Sequence, residues 1–447
     1  MLKKVLVANR GEIAVRIIQA CKELEIKTVA VYSDVDYDSL HVKLADEAYC
    51  IGPSVAKESY LHIENILKVA TLTKVDAVHP GYGFLAENAE FASLCEELNI
   101  QFIGPSAEPI QKMGIKDVAR QTMKNAGVPI TPGSDGIVQD LQEAFTIAEE
   151  IGFPVIIKAT AGGGGKGIRV AHDAESLEKG LEITQQEATT AFGNPGVYIE
   201  KFIEDFRHVE IQILADKFGN TIHLGERDCT IQRRMQKLIE ETPSTAISSE
   251  TRKKMGEAAV QAAKAVQYVG AGTVEFIYDY RKDVFYFMEM NTRIQVEHPI
   301  TEMVTGVDLV QEQLKIASGA KLELKQEDIS LNGWSFECRI NAEDPHNNFM
   351  PSPGKVTQYI VPGGFGVRID SAVYTGYTVQ PYYDSIIAKL IVHGKDREDA
   401  IQKLKRALAH FTIEGVHTTI PFFEALLEDE KFLSGEFNTN FLESFKM

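Results

Sequence analysis

The stretch Phe285-Tyr-Phe-Met-Glu-Met-Asn-Thr-Arg-Ile-Gln-Val-Glu-His298 constrains the fold more than any other part of the chain. Read as a strand, it alternates faces with period two. Phe285 and Phe287 then share a face with Glu289, Asn291, Arg293 and Gln295, and with Glu297 if the extension continues. Val284, Tyr286, Met288 and Met290, on the other face, suit a core. Same-face positions reading acid, amide, cation, amide, acid do not pack, and a solubilising edge would scatter its charges. Two carboxylates with an arginine between them suit a divalent metal and an oxyanion. The strand must therefore belong to a sheet that packs on one side and lines a polar site on the other.

A chain of 447 residues exceeds one core and implies roughly two to four domains. With 44% apolar and 25% charged residues it has the balance of an ordinary globular protein, so a packed interior is expected. It contains no apolar run of the roughly 18 residues that a membrane span needs. Met1-Leu-Lys-Lys-Val-Leu-Val-Ala-Asn-Arg10 starts basic, but its apolar part is too short for a signal peptide. It reads as a first buried strand, and the protein as cytoplasmic. Five cysteines (Cys21, Cys50, Cys95, Cys229, Cys338) form no CxxC, and eleven histidines form no HExxH, so neither a disulfide framework nor a zinc site is indicated. The net charge of −18 argues against a nucleic-acid partner, which requires a basic footprint. A small anion in a locally basic pocket remains compatible with it.

Lys4 to Ala8, Thr28 to Tyr32, Val75 to Val78 and Gln101 to Gly104 are short apolar strands, and Ile13, Ala14, Ile17, Ile18, Cys21 and Leu24 have helical spacing. This rhythm predicts an open parallel sheet over the first hundred or so residues, within an α/β chain that is α+β overall. The first turn, Asn9-Arg-Gly-Glu12, lacks GxGxxG and is not a dinucleotide site. His79-Pro-Gly-Tyr-Gly-Phe84 follows a strand, either as a plain turn or as a ligand loop at the strand's carboxyl end. Boundaries fall near Gly104 to Lys116 and near Gly127 to Gly133. A helix with Val138, Leu141, Phe145 and Ala148 precedes the strand Pro154 to Ala159.

Gly162, Gly164 and Gly167 formally match GxGxxG, but Ile168-Arg-Val-Ala171 alternates like a strand where a Rossmann loop must open a helix. Lys166 is followed by Gly167, so the loop is not a Walker A motif either. Strand, glycine loop, strand reads as a hairpin whose bare amides can close over phosphates, with Lys158 to neutralise them. Val197 to Ile203 is a further strand carrying Glu200 and Lys201. His208, Glu210 and Gln212 share a face of the next. Glu226 to Lys237 holds four cations within eleven residues of an acidic chain, an anion pocket without the interleaved aromatics of a nucleic-acid patch. Glu275, between Val274 and Phe276, points inward and needs a partner, most simply a metal ion.

Lys158, the Gly162 to Gly167 loop, Glu200-Lys201, Glu275 and Glu289-Met-Asn291 together resemble an ATP-grasp enzyme. Ala8-Asn-Arg-Gly-Glu-Ile13, His79 to Leu85, Glu226-Arg-Asp-Cys229 and Glu289 to His298 closely resemble biotin carboxylase, a likeness that runs to about residue 440. The resemblance implies a Rossmann-like N-terminal domain (1–114), an ATP-grasp domain (115–330) with a lid at about 131–203, and a C-terminal biotin carboxylase domain (331–447). It implies Mg²⁺ (or Mn²⁺) on Glu275, Glu289 and Asn291. ATP would lie along Lys116, Lys158, His208, Gly164 and Gly165, its adenine near Glu200, Lys201, Phe202 and Ile203, its ribose by Gln232. Bicarbonate would lie among Lys237, Arg293, Gln295 and the Val296 backbone, with Glu297 as general base. Arg339 would stabilise the biotin enolate, and Tyr82 would border biotin.

The implied partners are a biotin carboxyl carrier protein and carboxyltransferase subunits on other chains, with a homodimer as the usual assembly. The implied pathway is the first half-reaction of acetyl-CoA carboxylase in fatty-acid synthesis, the alternative a subunit of a pyruvate or propionyl-CoA carboxylase. Met235 departs from relatives that carry histidine there and cannot donate a hydrogen bond to nucleotide, and Lys166 replaces an arginine of some relatives. Another ATP-grasp ligase would fit the metal and lysine pattern but not Arg293, Gln295, Glu297 and Arg339. A non-catalytic nucleotide-binding subunit would not need every catalytic position filled, and a nicotinamide oxidoreductase would rest on the formal GxGxxG alone.

Overall fold

The computed structural model describes residues 2–160 and 167–447. The first strands are β1 (Lys4–Val7), β2 (Lys27–Ser33), β3 (Glu47–Gly52), β4 (Ala77–His79) and β5 (Gln101–Phe102). They form a parallel sheet in the order β3-β2-β1-β4-β5. Helix α1 (Gly11–Glu23) lays Ile13, Ala14, Ile17, Ile18 and Cys21 against one face, while Leu6, Val29, Val31 and Val78 face the other core. Burial on both faces explains the unbroken apolar runs of β1 and β2. Sequence periodicity misses β3, whose Tyr49 and Cys50 are exposed because it lies at the sheet edge.

A second, antiparallel sheet has the order β7-β6-β8, from β6 (Val155–Ala159), β7 (Ile168–Ala171) and β8 (Val197–Lys201). Strands β6 and β7 flank the glycine loop as a hairpin, with Lys158 opposite Ile168. The residues after Gly167 therefore open a strand and no helix, which removes the dinucleotide reading. Helices Leu141–Ile151 and Ala174–Phe192 share a core with Val155, Ile157, Ala171 and Ile199.

The third sheet carries the polar face. Strands β9 (Arg207–Ala215), β10 (Thr221–Arg233), β11 (Gln236–Thr242), β12 (Gly270–Asp279), β13 (Val284–Asn291) and β14 (Trp334–Asn341) join strands Ile386–Gly394 and Val367–Ser371. Their order is β13-β12-β9-β10-β11-β14, then 386–394 and 367–371. Pairing of β11 with β14, Glu240 opposite Glu337, carries the ladder across residue 331 without a break. Val209, Ile211, Val274 and Phe276 pack beneath it with Met255, Ala259 and Ala262 of helix Ser249–Ala265.

Strand β13 corrects the simple alternation. Glu275 pairs with Glu289 but Phe276 pairs with Phe287, so Met288 is an extra residue in the ladder, a β-bulge. The bulge switches faces. Phe285 and Phe287 join Met290 in the lower core, and Phe285 meets Phe276 edge-on at 5.4 Å between ring centroids. Met288 lines the cleft with Glu289 and Asn291 instead. The strand also ends at Asn291, and Arg293, Gln295 and Glu297 occupy an irregular turn into helix His298–Thr305.

Candidate active site

A cavity of about 740 Å³ opens above the polar face of the third sheet. Tyr82, His208, Gln232, Lys237, Glu275, Glu289, Asn291, Arg293, Gln295, Val296 and Arg339 all line it, although the sequence scatters them over more than 250 positions. A larger surface groove of about 900 Å³, lined by Leu61, Leu67, Leu72 and Leu94, brings no such polar groups together. The His79–Phe84 loop reaches the cavity because Asn9, at the carboxyl end of β1, clamps it. Asn9 Nδ2 donates to the carbonyls of Pro80 and Tyr82, both at 2.7 Å. Gly81 has φ +63°, and a Cβ there would lie 3.0 Å from that amide, so glycine is required. The loop is thus more than a plain turn.

Lys237 is the hub. Its Nζ donates to Glu210 Oε2 (2.6 Å), Glu297 Oε1 (2.6 Å) and Glu275 Oε1 (3.0 Å). Burial would lower its pKa, but Cys229 and these three carboxylates raise it well above the ordinary value. On β9 the alternation holds, and His208, Glu210 and Gln212 share the cleft face, buried and not solvated. Arg227 lies fully buried beneath them. It donates to Glu210 Oε1 (2.6 Å), Gln212 Oε1 (2.6 Å) and Thr273 Oγ1 (3.0 Å). The cations of β10 and β11 therefore split, with Arg227 and Lys237 neutralising buried acids while Arg234 remains exposed. Arg234 and Met235 form the hairpin tip, both with positive φ, and Met235 is exposed at the cavity mouth.

Glu297 is completely buried between two cations. Arg339 donates to its Oε2 at 3.0 Å and to Glu240 Oε1 at 2.8 Å. Burial alone would raise the Glu297 pKa, but Lys237 and Arg339 outweigh it and hold it well below the carboxylate range. Glu240 is the opposite case, with burial pushing it up to about 7 against the pull of Arg339. Arg293 organises the outer turn, donating to Gln295 Oε1 (3.0 Å), Asn291 Oδ1 (3.0 Å) and Glu87 Oε2 (2.8 Å). Lys237, Arg293 and Arg339 line the cavity, so fixed cations face it in front of the buried acids, an arrangement suited to holding a small anion and neutralising charge as it develops.

The donor set for a hard metal ion is present at the inner end. Glu275 and Glu289 are direct cross-strand partners, a like-charge juxtaposition that is unfavourable unless a cation lies between. Desolvation by the surrounding cleft walls and the Glu275 charge raise the pKa of Glu289, whose side chain remains exposed, while Lys237 and His208 depress that of Glu275. His208 Nε2 lies 2.7 Å from Glu275 Oε2, and Asn291 Nδ2 donates to Glu275 Oε1 at 2.9 Å. The two carboxylates match magnesium's preference for oxygen, whereas Asn291 turns its Nδ2 to Glu275 and its Oδ1 to Arg293 and would have to rotate to offer oxygen. Among the described residues, the tighter groups His208-Glu210-Glu275 and Glu210-Cys229-Glu297 meet metal-ligand spacing, but Lys237 already occupies that charge.

The remaining candidates stand apart from this cavity. Lys158 donates to Glu200 Oε2 and Arg120 to Glu200 Oε1 at 2.9 Å, across β6 and β8. The Lys201 ammonium points away, donating to the carbonyls of Gly152 and Phe153. Phe202 and Ile203 follow the end of β8, and Lys116 opens helix Lys116–Asn125. Gly164, Gly165 and Lys166 lie outside the described residues. Sequence reasoning missed Arg227, Glu240 and Glu87, whose roles depend on neighbours distant in the chain.

Three family models cover most of the chain. Residues 1–110 match the biotin carboxylase N-terminal domain, 116–325 the ATP-binding domain of the carbamoyl-phosphate synthase L chain, and 337–444 the biotin carboxylase C-terminal domain. "Biotin carboxylase 1" of Bacillus subtilis is 69% identical over 445 residues, spanning 100% of this chain and 99% of that protein. The chain belongs to the biotin carboxylase family. It is accordingly an ATP-dependent ligase with an ATP-grasp fold. The biotin carboxylase–β,γ-ATP complex from Campylobacter jejuni superposes with a TM-score of 0.95 at 48% identity, covering 100% of this chain and 99% of that one. The biotin carboxylase domain dimer of Hydrogenobacter thermophilus 2-oxoglutarate carboxylase, bound to MgADP, ADP and bicarbonate, gives 0.92 at 54% identity, covering 99% and 97%. Among the described residues, no helix is long and apolar enough to cross a membrane.

Proposed function

We propose that this biotin carboxylase uses ATP and bicarbonate to carboxylate biotin on a biotin carboxyl carrier protein, as the first half-reaction of acetyl-CoA carboxylase. The observation that carries the reading is Glu297, ionised and buried behind Lys237 and Arg339, which line a cavity that also presents Arg293 and Gln295. Glu297 takes the proton of bicarbonate, whose oxygen then attacks the γ-phosphate of ATP to give carboxyphosphate. Its depressed pKa keeps it ionised at neutral pH. Bicarbonate and biotin oxygens, by drawing Lys237 and Arg339 toward themselves, restore its basicity.

Lys237, Arg293, Gln295 and the Val296 amide hold the anion, and Arg339 stabilises the biotin enolate beside Tyr82. Carboxyphosphate decomposes to CO₂ and phosphate, and that phosphate deprotonates the biotin N1′. Glu275, Glu289 and Asn291 would hold Mg²⁺ (or Mn²⁺), which when bound neutralises phosphate charge. Lys116, Lys158, His208, Gly164 and Gly165 serve the phosphates. Glu200, Lys201, Phe202 and Ile203 serve adenine, and Gln232 the ribose. A division near residues 115 and 331, a homodimer and separate carboxyltransferase subunits complete the proposal.

The test is ADP release with ATP, Mg²⁺ and bicarbonate, with and without free biotin, in wild type, Glu297→Ala and Arg339→Ala. Stimulation by biotin, with carboxybiotin formed by wild type and lost in both variants, is the expected result. Turnover indifferent to biotin would instead mean another ATP-grasp ligase.

A further inference from the structure

Strand Ile386–Gly394 carries two polar residues, Lys389 and His393, among apolar ones, and Lys389 faces away from its core. Ala388, Leu390 and Val392 pack into the C-terminal core, whereas Lys389 lies opposite Arg339 across the ladder and turns to the other face. Its side chain is completely buried, at 0% exposure. Burying an ammonium is costly unless it is paired and hydrogen-bonded. Here the pairing reaches three separate parts of the chain. Nζ donates to the Val296 carbonyl at 2.9 Å, lies 3.1 Å from Glu12 Oε1 of helix α1, and lies 3.8 Å from Asp370 Oδ2 of strand Val367–Ser371.

Two of these contacts lead directly to the cavity. The Val296 carbonyl belongs to the turn that presents Gln295, the Val296 amide and Glu297. The main chain of that turn is also held by His298 Nδ1 on the Gln295 carbonyl at 2.8 Å, and its side chains by Gln295 Nε2 donating to Glu275 Oε1 at 3.0 Å and by Lys237 and Arg339 donating to Glu297. Glu12 Oε1 also accepts from the Tyr82 hydroxyl, on the opposite wall. A single ammonium thus ties the bicarbonate turn to the biotin-side tyrosine. Arg368 already gives Asp370 a bidentate partner, at 2.8 Å for both bonds, so Asp370 does not depend on Lys389.

We propose that Lys389 is a positioning residue that holds the Gln295–Glu297 turn and, through Glu12, Tyr82 in register for bicarbonate and biotin. The inference rests on the proposed biotin carboxylation. It adds a requirement on a residue that touches neither substrate. Loss of the ammonium should free the Val296 carbonyl and slacken Tyr82, while the nucleotide end, more remote in the sheet, keeps its geometry.

The experiment measures KM for bicarbonate, free biotin and ATP, together with Tm, in full-length wild type, Lys389→Met and Asp370→Asn. Lys389→Met should raise the bicarbonate KM by about tenfold or more and the biotin KM in parallel, with the ATP KM within about twofold. Asp370→Asn should lower Tm without raising the bicarbonate KM, which separates positioning from simple loss of stability. A folded Lys389→Met with unchanged bicarbonate and biotin KM, or equal shifts of all three constants, would overturn the proposal. If Lys389→Met does not fold, Glu12→Gln keeps a partner for Tyr82 but removes the charge facing Lys389. A rise in biotin KM with constant ATP KM then supports the proposal, and no rise overturns it. Wild type showing no biotin-dependent turnover would fail the function itself, an outcome distinct from a normal wild type with an indifferent variant.

Discussion

At the scale of single residues, the site is an exercise in charge balance. Lys237 serves Glu210, Glu275 and Glu297 at once. Removing one partner of a buried ionic cluster strands the rest, a loss of about 3–5 kcal/mol. Lys237→Met is therefore expected to lower Tm steeply and to abolish bicarbonate-dependent turnover, measured by thermal melting and ADP release. Glu240 predicts a pH effect. Its pKa is raised from 4.5 to about 7, and that of neighbouring Glu337 is also raised well above its ordinary value, both chiefly by burial. The fold therefore prefers their protonated forms, a contribution complete below the unfolded value and lost as pH rises through the folded one. Buried His79 and His298, with pKa values pushed below 6.5, act in the opposite sense but only below that pH. Over about pH 4.5 to 7 Glu240 should therefore withdraw stability as pH rises, so the Tm of Glu240→Gln measured against wild type should be higher at pH 7 than at pH 5.

At the scale of elements, one inserted residue decides what faces the cleft. Met288 breaks the β12/β13 ladder, so that Phe287 packs down while Glu289 and Asn291 point up. Deleting Met288 would restore strict alternation across the ladder and shift either the aromatic pair or the acidic pair to the wrong face. Mg²⁺-dependent nucleotide binding, followed calorimetrically, should be lost in the deletion. Met288→Leu, which keeps the residue count and most of the volume, should retain it within about threefold.

At the scale of the whole molecule, the chain end closes the structure. Arg207, on β9, is buried and donates to Asp228 Oδ2 (3.0 Å), the Gly435 carbonyl (3.1 Å) and the Phe437 carbonyl (2.5 Å). Its guanidinium stacks 3.6 Å from the Phe437 ring centroid. Phe432, Phe437 and Phe441 are all buried in the C-terminal core. Each such phenylalanine contributes about 3–5 kcal/mol on the scale of truncation to alanine. A chain ending at residue 428 should therefore be insoluble or unfolded, as judged by expression and circular dichroism, although no proposed catalytic group is removed.

The sequence by itself determined the elements whose patterning is local. These include the parallel strands and α1 of the first sheet, the strand–glycine–strand hairpin, the shared face of His208, Glu210 and Gln212, and the polar string from Glu289 to Glu297. Each depends on period two, period 3.6 or backbone freedom within a few residues, and such signals survive without a partner. Its strings also carried the resemblance to biotin carboxylase, which the full-length relatives establish. Only the tertiary structure decided which faces met. The Met288 bulge inverted the expected sides of Phe285, Phe287 and Met288 because register belongs to a pair of strands and cannot be read from one. Arg227 was legible only as part of a basic run, and Glu240 and Lys389 not at all, until β10, β11 and strand Ile386–Gly394 lay in one sheet. A buried ion is defined by its counter-ions, and here those arrive from other strands and helices, 17 residues away for Arg227 with Glu210, 99 for Glu240 with Arg339 and 377 for Lys389 with Glu12.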